Sequence, residues 1–66
     1  MRWYNAQKDR LPEDKQQVLI SVNGVYYICT YDKHTRRFCI GEEGRESAYA
    51  VDDYLIYWTE FVDPDD

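Results

Sequence analysis

The stretch VLISVNGVYYICTYD, Val18 to Asp32, decides the fold. Val18 to Val22 and Val25 to Tyr31 are rich in β-branched and aromatic residues, which suit a pleated, half-buried surface. Between them stand Asn23 and Gly24. Both tolerate positive φ, which a two-residue type I′ turn requires at its two central positions. The turn fixes the register: Val22 faces Val25, Ile20 faces Tyr27 and Val18 faces Cys29. Alternation then places Val18, Ile20, Val22, Val25, Tyr27, Cys29 and Tyr31 on one face, apolar throughout and predicted to be the core face. The other face carries Gln17, Leu19, Ser21, Tyr26, Ile28 and Thr30. Leu19 and Ile28 there call for a cover, and the chain's own WYNAQKDRLP segment, Trp3 to Pro12, is the expected one. Tyr26, beside the turn, is the hairpin aromatic expected to be most exposed.

Outward from the hairpin, DKHTR (Asp32 to Arg36) makes a second turn, and Arg37 to Ile40 reads as a third strand. Phe38 and Ile40 share one face of it and Cys39 takes the other. GEEGRES, Gly41 to Ser47, is a polar loop. Ser47 can cap a helix and alanines follow, so one short helical turn is expected over 47–52. YLIYWTEF, Tyr54 to Phe61, is the last strand, with Tyr54, Ile56 and Trp58 alternating against Leu55, Tyr57, Thr59 and Phe61. Upstream, Leu11 precedes a proline and is therefore extended, with its side chain turned inward as an anchor. PEDKQQ, from Pro12, turns the chain into the first long strand. Asp63 to Asp66 is an acidic end expected to fray.

The predicted fold is mainly β: a small twisted antiparallel sheet of about four strands, a meander or partly open barrel, in one domain spanning 1–66. Trp3, Leu11, Val18, Ile20, Tyr27, Phe38, Ile56 and Trp58 are the expected core. Aromatic residues make up 17% of the 66, and each packed ring buries roughly 150–250 Å². A few rings can therefore supply the core that so short a chain needs.

Composition narrows function. The formal net charge of −5 argues against nucleic acid and anionic membrane as general partners, because phosphates need Lys and Arg to neutralise them. No apolar signal segment follows Met1, and no run approaches the ~20 residues of a membrane helix. The expected compartment is the cytoplasm, with Cys29 and Cys39 both reduced. Those two cysteines, ten apart, and the lone His34 show no metal-ligand spacing. His34 lies in a charged turn without positioned acid–base partners, Asp52-Asp53 and Glu42-Glu43 are adjacent pairs in loops, and neither Gly41 nor Gly44 opens a phosphate loop. No enzyme and no cofactor are expected.

The landmarks together, Trp3, Arg10-Leu11-Pro12-Glu13, Val18-Leu19-Ile20, the Asn-Gly turn with VYYICTYD, and Tyr57-Trp58 before an acidic end containing Pro64, resemble the bacterial and phage domain of unknown function DUF551. The resemblance runs from Trp3 to Pro64. Members of that family begin with a Trp and an RLP segment, continue with a VLV strand and a V-x-x-A-x-Y strand, and end in THWMPLPEPP. This chain departs from the pattern at Tyr57, where the family has His, and in TEFVDP, which replaces MPLPEP. Cys29 stands at a small-residue position and Phe38 where an aromatic is common. The resemblance implies bacterial, prophage or mobile-element origin and no established enzymatic activity, and any role of the family His does not transfer.

Protein interaction is the class that remains: a small accessory module whose partner is another protein or a second copy. Tyr has an apolar body and a polar tip and is enriched at interfaces. Tyr4, Tyr26, Tyr49 and Tyr57 are the candidate partner surface. Two alternatives stand beside it. One is an acidic inhibitor that mimics DNA, drawing on the 13 Asp and Glu. The other is a weak single-stranded nucleic-acid binder that stacks bases on sheet aromatics.

Overall fold

The computed structural model describes residues 2–41 and 47–61. They form six strands, β1 (Tyr4–Asn5), β2 (Gln17–Val22), β3 (Val25–Asp32), β4 (Arg37–Ile40), β5 (Ser47–Ala50) and β6 (Ile56–Glu60). All pairings are antiparallel, in one open sheet of order β1-β6-β2-β3-β4-β5. The mainly β prediction therefore holds, with six strands where about four were expected. β1 and β5 are the additions, and they are the two edges.

The hairpin has the register its turn dictates. Val22 pairs Val25, Ile20 pairs Tyr27 and Val18 pairs Cys29. Asn23 and Gly24 have φ of 52° and 79°, the positive values of a type I′ turn. In the second turn the Asp32 carboxylate accepts the His34 and Thr35 amides at 2.9 and 3.4 Å, while Arg36 takes a φ of 57°. At the other end of β2 the Lys15 N–H donates to Tyr31 O, and the Tyr31 N–H donates to Gln16 O. Two residues thus face one, and Lys15, with φ 65°, is the bulge that ends the ladder.

Val18, Ile20, Phe38, Val51, Ile56 and Trp58 are fully buried, with Tyr31, Val22, Cys29 and Ala6 nearly so. These residues lie on or against one face of the sheet. Trp58 anchors the cover as well, because its indole N–H donates to Arg10 O at 2.7 Å. That bond pins the 6–12 segment over the core, where Ala6 is buried and Leu11 packs against it.

Four expectations need correction. The 47–52 segment is not helical: Ser47–Ala50 is β5, followed by a turn. A single helical turn over 47–52 has only its costly nucleus, whereas the strand gains pairing of Tyr49 with Phe38 and, by the two-residue period, points Tyr49 and the buried Val51 to the core side. The segment from Ala6 to Pro12 covers the core face rather than the Leu19–Ile28 face, since the large rings of Trp58 and Tyr31 need closing over. Trp3 is not core but half-buried on the opposite face, because its neighbour Tyr4 takes the core side opposite Trp58. Val25, on the predicted core face, is 46% exposed because it lies beside the turn, at the end of the hairpin. Tyr27 and Leu11 are half-buried and pack on the core from its margin. The Glu42-Glu43 pair, most of the polar loop and the acidic end lie outside the described residues.

Candidate interaction surface

The tyrosines singled out from sequence do not form one patch. Tyr4 lies on the core side, its ring 4.9 Å from Trp58, with the Arg2 and Arg10 guanidinium carbons each 5.1 Å from its centroid. Tyr49 is half-buried at the far margin of the same side, between Tyr27 at 5.6 Å and Tyr54 at 4.9 Å. Its hydroxyl donates to Tyr27 Oη at 3.5 Å, and that bond, with some burial, raises its pKa. Both therefore act as packing for the core margin.

Tyr26 and Tyr57 belong together on the outer face. Ser21 pairs with Tyr26 on one side and with Tyr57 on the other, so the three form a row across β3, β2 and β6. The next row is Ile28, Leu19 and Thr59. Trp3 follows beyond β6 and sets its ring 6.0 Å from that of Tyr26. Tyr26 is 65% exposed, Ile28 49%, Tyr57 40%, and Phe61, just past the end of β6, 41%. Neither row contains an Asp, Glu, Lys or Arg. These side chains make an exposed apolar and aromatic zone, the kind of surface that contiguous patches at interaction sites present.

Sequence alternation places Tyr26, Tyr57, Ile28 and Phe61 away from the core strand positions, and of these Tyr26 and Tyr57 belong to the candidate surface. The signal for Ile28 and Phe61 was present in that alternation. For Trp3 there was none: one of two adjacent aromatics must point out, and only the pairing of Tyr4 with Trp58 decides which.

Charge gathers at one end of the sheet. The Lys15 ammonium lies 3.6 Å from the Asp32 carboxylate, at a cleft of about 280 Å³ lined also by Thr30, Tyr31, Cys39 and Gly41. Desolvation alone would raise the Asp32 pKa, but the His34 and Thr35 amides and the Lys15 charge outweigh it and hold the carboxyl below its ordinary value. Cys29 and Cys39 are both thiols. Burial, with the neighbouring Cys39 adding to it, pushes the Cys29 pKa up to about 12, so it is a packing residue and not a nucleophile. Asp52, one of the paired acids of the sequence, lies 3.4 Å from the Arg36 guanidinium. Among the described residues no cluster of His, Cys, Asp and Glu has the grouping of a metal site, and no helix is long and apolar enough to cross a membrane.

Compared with family models, with curated proteins and with solved structures, the chain matches none.

Proposed function

We propose that this chain is a non-enzymatic interaction module, cytoplasmic and of bacterial or mobile-element origin, that receives another protein on the outer face of its sheet. The observation that carries the reading is the uncharged row of Tyr57, Ser21 and Tyr26 backed by Leu19, Ile28 and Trp3. Antiparallel sheets often leave one face to water, and such faces then carry polar side chains. Here the exposed centre is aromatic and aliphatic instead. Tyr and Trp are the residues that most often act as anchors of protein interfaces. The resemblance to DUF551 supports the assignment to bacterial or prophage genes and a role without catalysis.

The test uses the intact chain as bait in a bacterial lysate, with a Tyr26→Ala, Tyr57→Ala double variant beside it. Capture of a defined protein that the double variant loses at least tenfold supports the reading. Equal capture by both baits, or by neither, places function elsewhere on the molecule.

A further inference from the structure

Asn23-Gly24 sets the register of the β2–β3 hairpin, and it is also the one Asn-Gly pair in the chain. Asparagine is chemically labile, and most so before glycine, where no side chain shields the next backbone nitrogen. In that reaction the Gly24 nitrogen loses its proton and attacks Asn23 Cγ. The N–Cγ bond forms, the Cγ–Nδ2 bond breaks and ammonia leaves. Water then opens the resulting succinimide ring at one of its two carbonyls, giving aspartate or isoaspartate.

The fold leaves both reacting groups accessible. Asn23 and Gly24 are exposed, and a side chain built on Gly24 meets nothing within 4 Å. Among the described residues, the Gly24 N–H donates to no carbonyl and the Asn23 carboxamide has no hydrogen-bond partner. What restrains the reaction is the backbone. Asn23 has φ of 52°, in the left-handed region where ψ is about +47°. At that ψ the Gly24 nitrogen lies nearly anti to Asn23 Cβ, so Cγ, one bond beyond Cβ, is out of its reach. Ring closure needs the nitrogen eclipsed with Cβ, roughly half a turn away about ψ. Such a rotation redirects the chain at the centre of a two-residue loop, and the Val22–Val25 pair cannot survive it.

We propose that Asn23 is a site of spontaneous deamidation held shut by the left-handed turn: it reacts when the hairpin opens at its tip, and its isoaspartyl product keeps the hairpin from closing in register. The two products act differently. Aspartate leaves the main chain as it was, and Asp-Gly suits the same turn as Asn-Gly. Isoaspartate routes the main chain through Cβ and adds a backbone atom to the loop, which then no longer has the type I′ geometry that sets the register. That register holds Val18 and Ile20 in the core and Tyr26 on the outer face. One altered linkage at the tip therefore unsettles both faces of the sheet.

The experiment incubates the intact chain at one mildly alkaline pH and one temperature, folded in buffer and unfolded in guanidinium chloride. Isoaspartate is read by enzymatic carboxyl methylation and located by peptide mapping. The expected result is isoaspartate at position 23, formed about tenfold or more slowly in the folded chain than in the unfolded one, because only opened molecules react. The isolated isoaspartyl form should have a lower urea midpoint than the starting protein, and the aspartyl form a midpoint close to it. Asn23→Gly suits the same turn and removes the reacting carboxamide, so it should form no isoaspartate there. Equal rates in folded and unfolded chains, an isoaspartyl form with an unchanged midpoint, or an isoaspartate signal undiminished in Asn23→Gly would overturn the proposal.

Discussion

The same strands build both faces of this sheet, and the faces differ in what meets them. Val18, Ile20, Phe38, Ile56 and Trp58 are fully buried, whereas Tyr26 and Ile28, alternating with core residues in β3, are 65% and 49% exposed. The covered face is closed by a loop that has almost no regular structure of its own. It is held by one indole hydrogen bond, Trp58 to Arg10, and by the Gln7 side chain, which donates to Val51 O at 2.7 Å. The outer face has fewer apolar side chains, interleaved with Ser21, Thr30 and Thr59, and among the described residues Trp3 lies against it. The chain has one long enough connection before β2, and the larger rings on the Trp58 side, which need most covering, take it.

Removing the anchor of the covered face should have the largest effect. Trp58→Ala is expected to cost about 3–5 kcal/mol, from the lost ring and the freed Arg10 carbonyl, read as a lower urea midpoint. A near-wild-type midpoint would mean that the loop is held by something other than Trp58. The second effect is alkaline. The Cys29 thiol has its folded pKa raised from 9.0 to about 12, so folding favours the protonated form. Its contribution is complete below pH 9 and is lost between pH 9 and 12, at up to about 1.4 kcal/mol per pH unit. Cys29→Ala should reduce the loss of stability across that window, the raised Tyr31 and Tyr49 hydroxyls accounting for the remainder, measured as denaturant midpoints at stepped pH.

Gly24→Ala tests the turn that sets both faces. A methyl group there meets nothing within 4 Å, so only the φ of +79° opposes it, and a loss of about 1 kcal/mol in thermal or urea unfolding is expected. The smallest effect belongs to the outer face. Tyr26→Ala should change stability by less than about 1 kcal/mol, the scale of the ring contact with Trp3. A larger loss would make Tyr26 a structural residue and remove it from the candidate surface.

Legibility followed the range of the interaction. The hairpin register was readable because Asn23-Gly24 fixes it locally, and Phe38 and Ile40 could be assigned to one face by alternation. The 47–52 segment reads as helical from its local signal, Ser47 and the alanines after it, while the strand it forms depends on a partner, β4, that begins ten positions earlier. The tyrosines show the same division. The exposure of Tyr26 is legible from its place beside the turn, but nothing local tells such an outward aromatic from Tyr4 and Tyr49, which pack on the core margin.

By itself the sequence determined the β character, the hairpin, its register and the buried hydrophobic residues of β2, β4 and β6, because turn chemistry and a two-residue period act between near neighbours. Tertiary structure alone decided which face the Trp3–Pro12 segment covers, that Trp3 turns outward while Tyr4 turns in, and that Ser47–Ala50 is an edge strand. Each of those depends on where β6 and β4 lie when distant segments arrive, a matter of packing between elements that no local preference encodes.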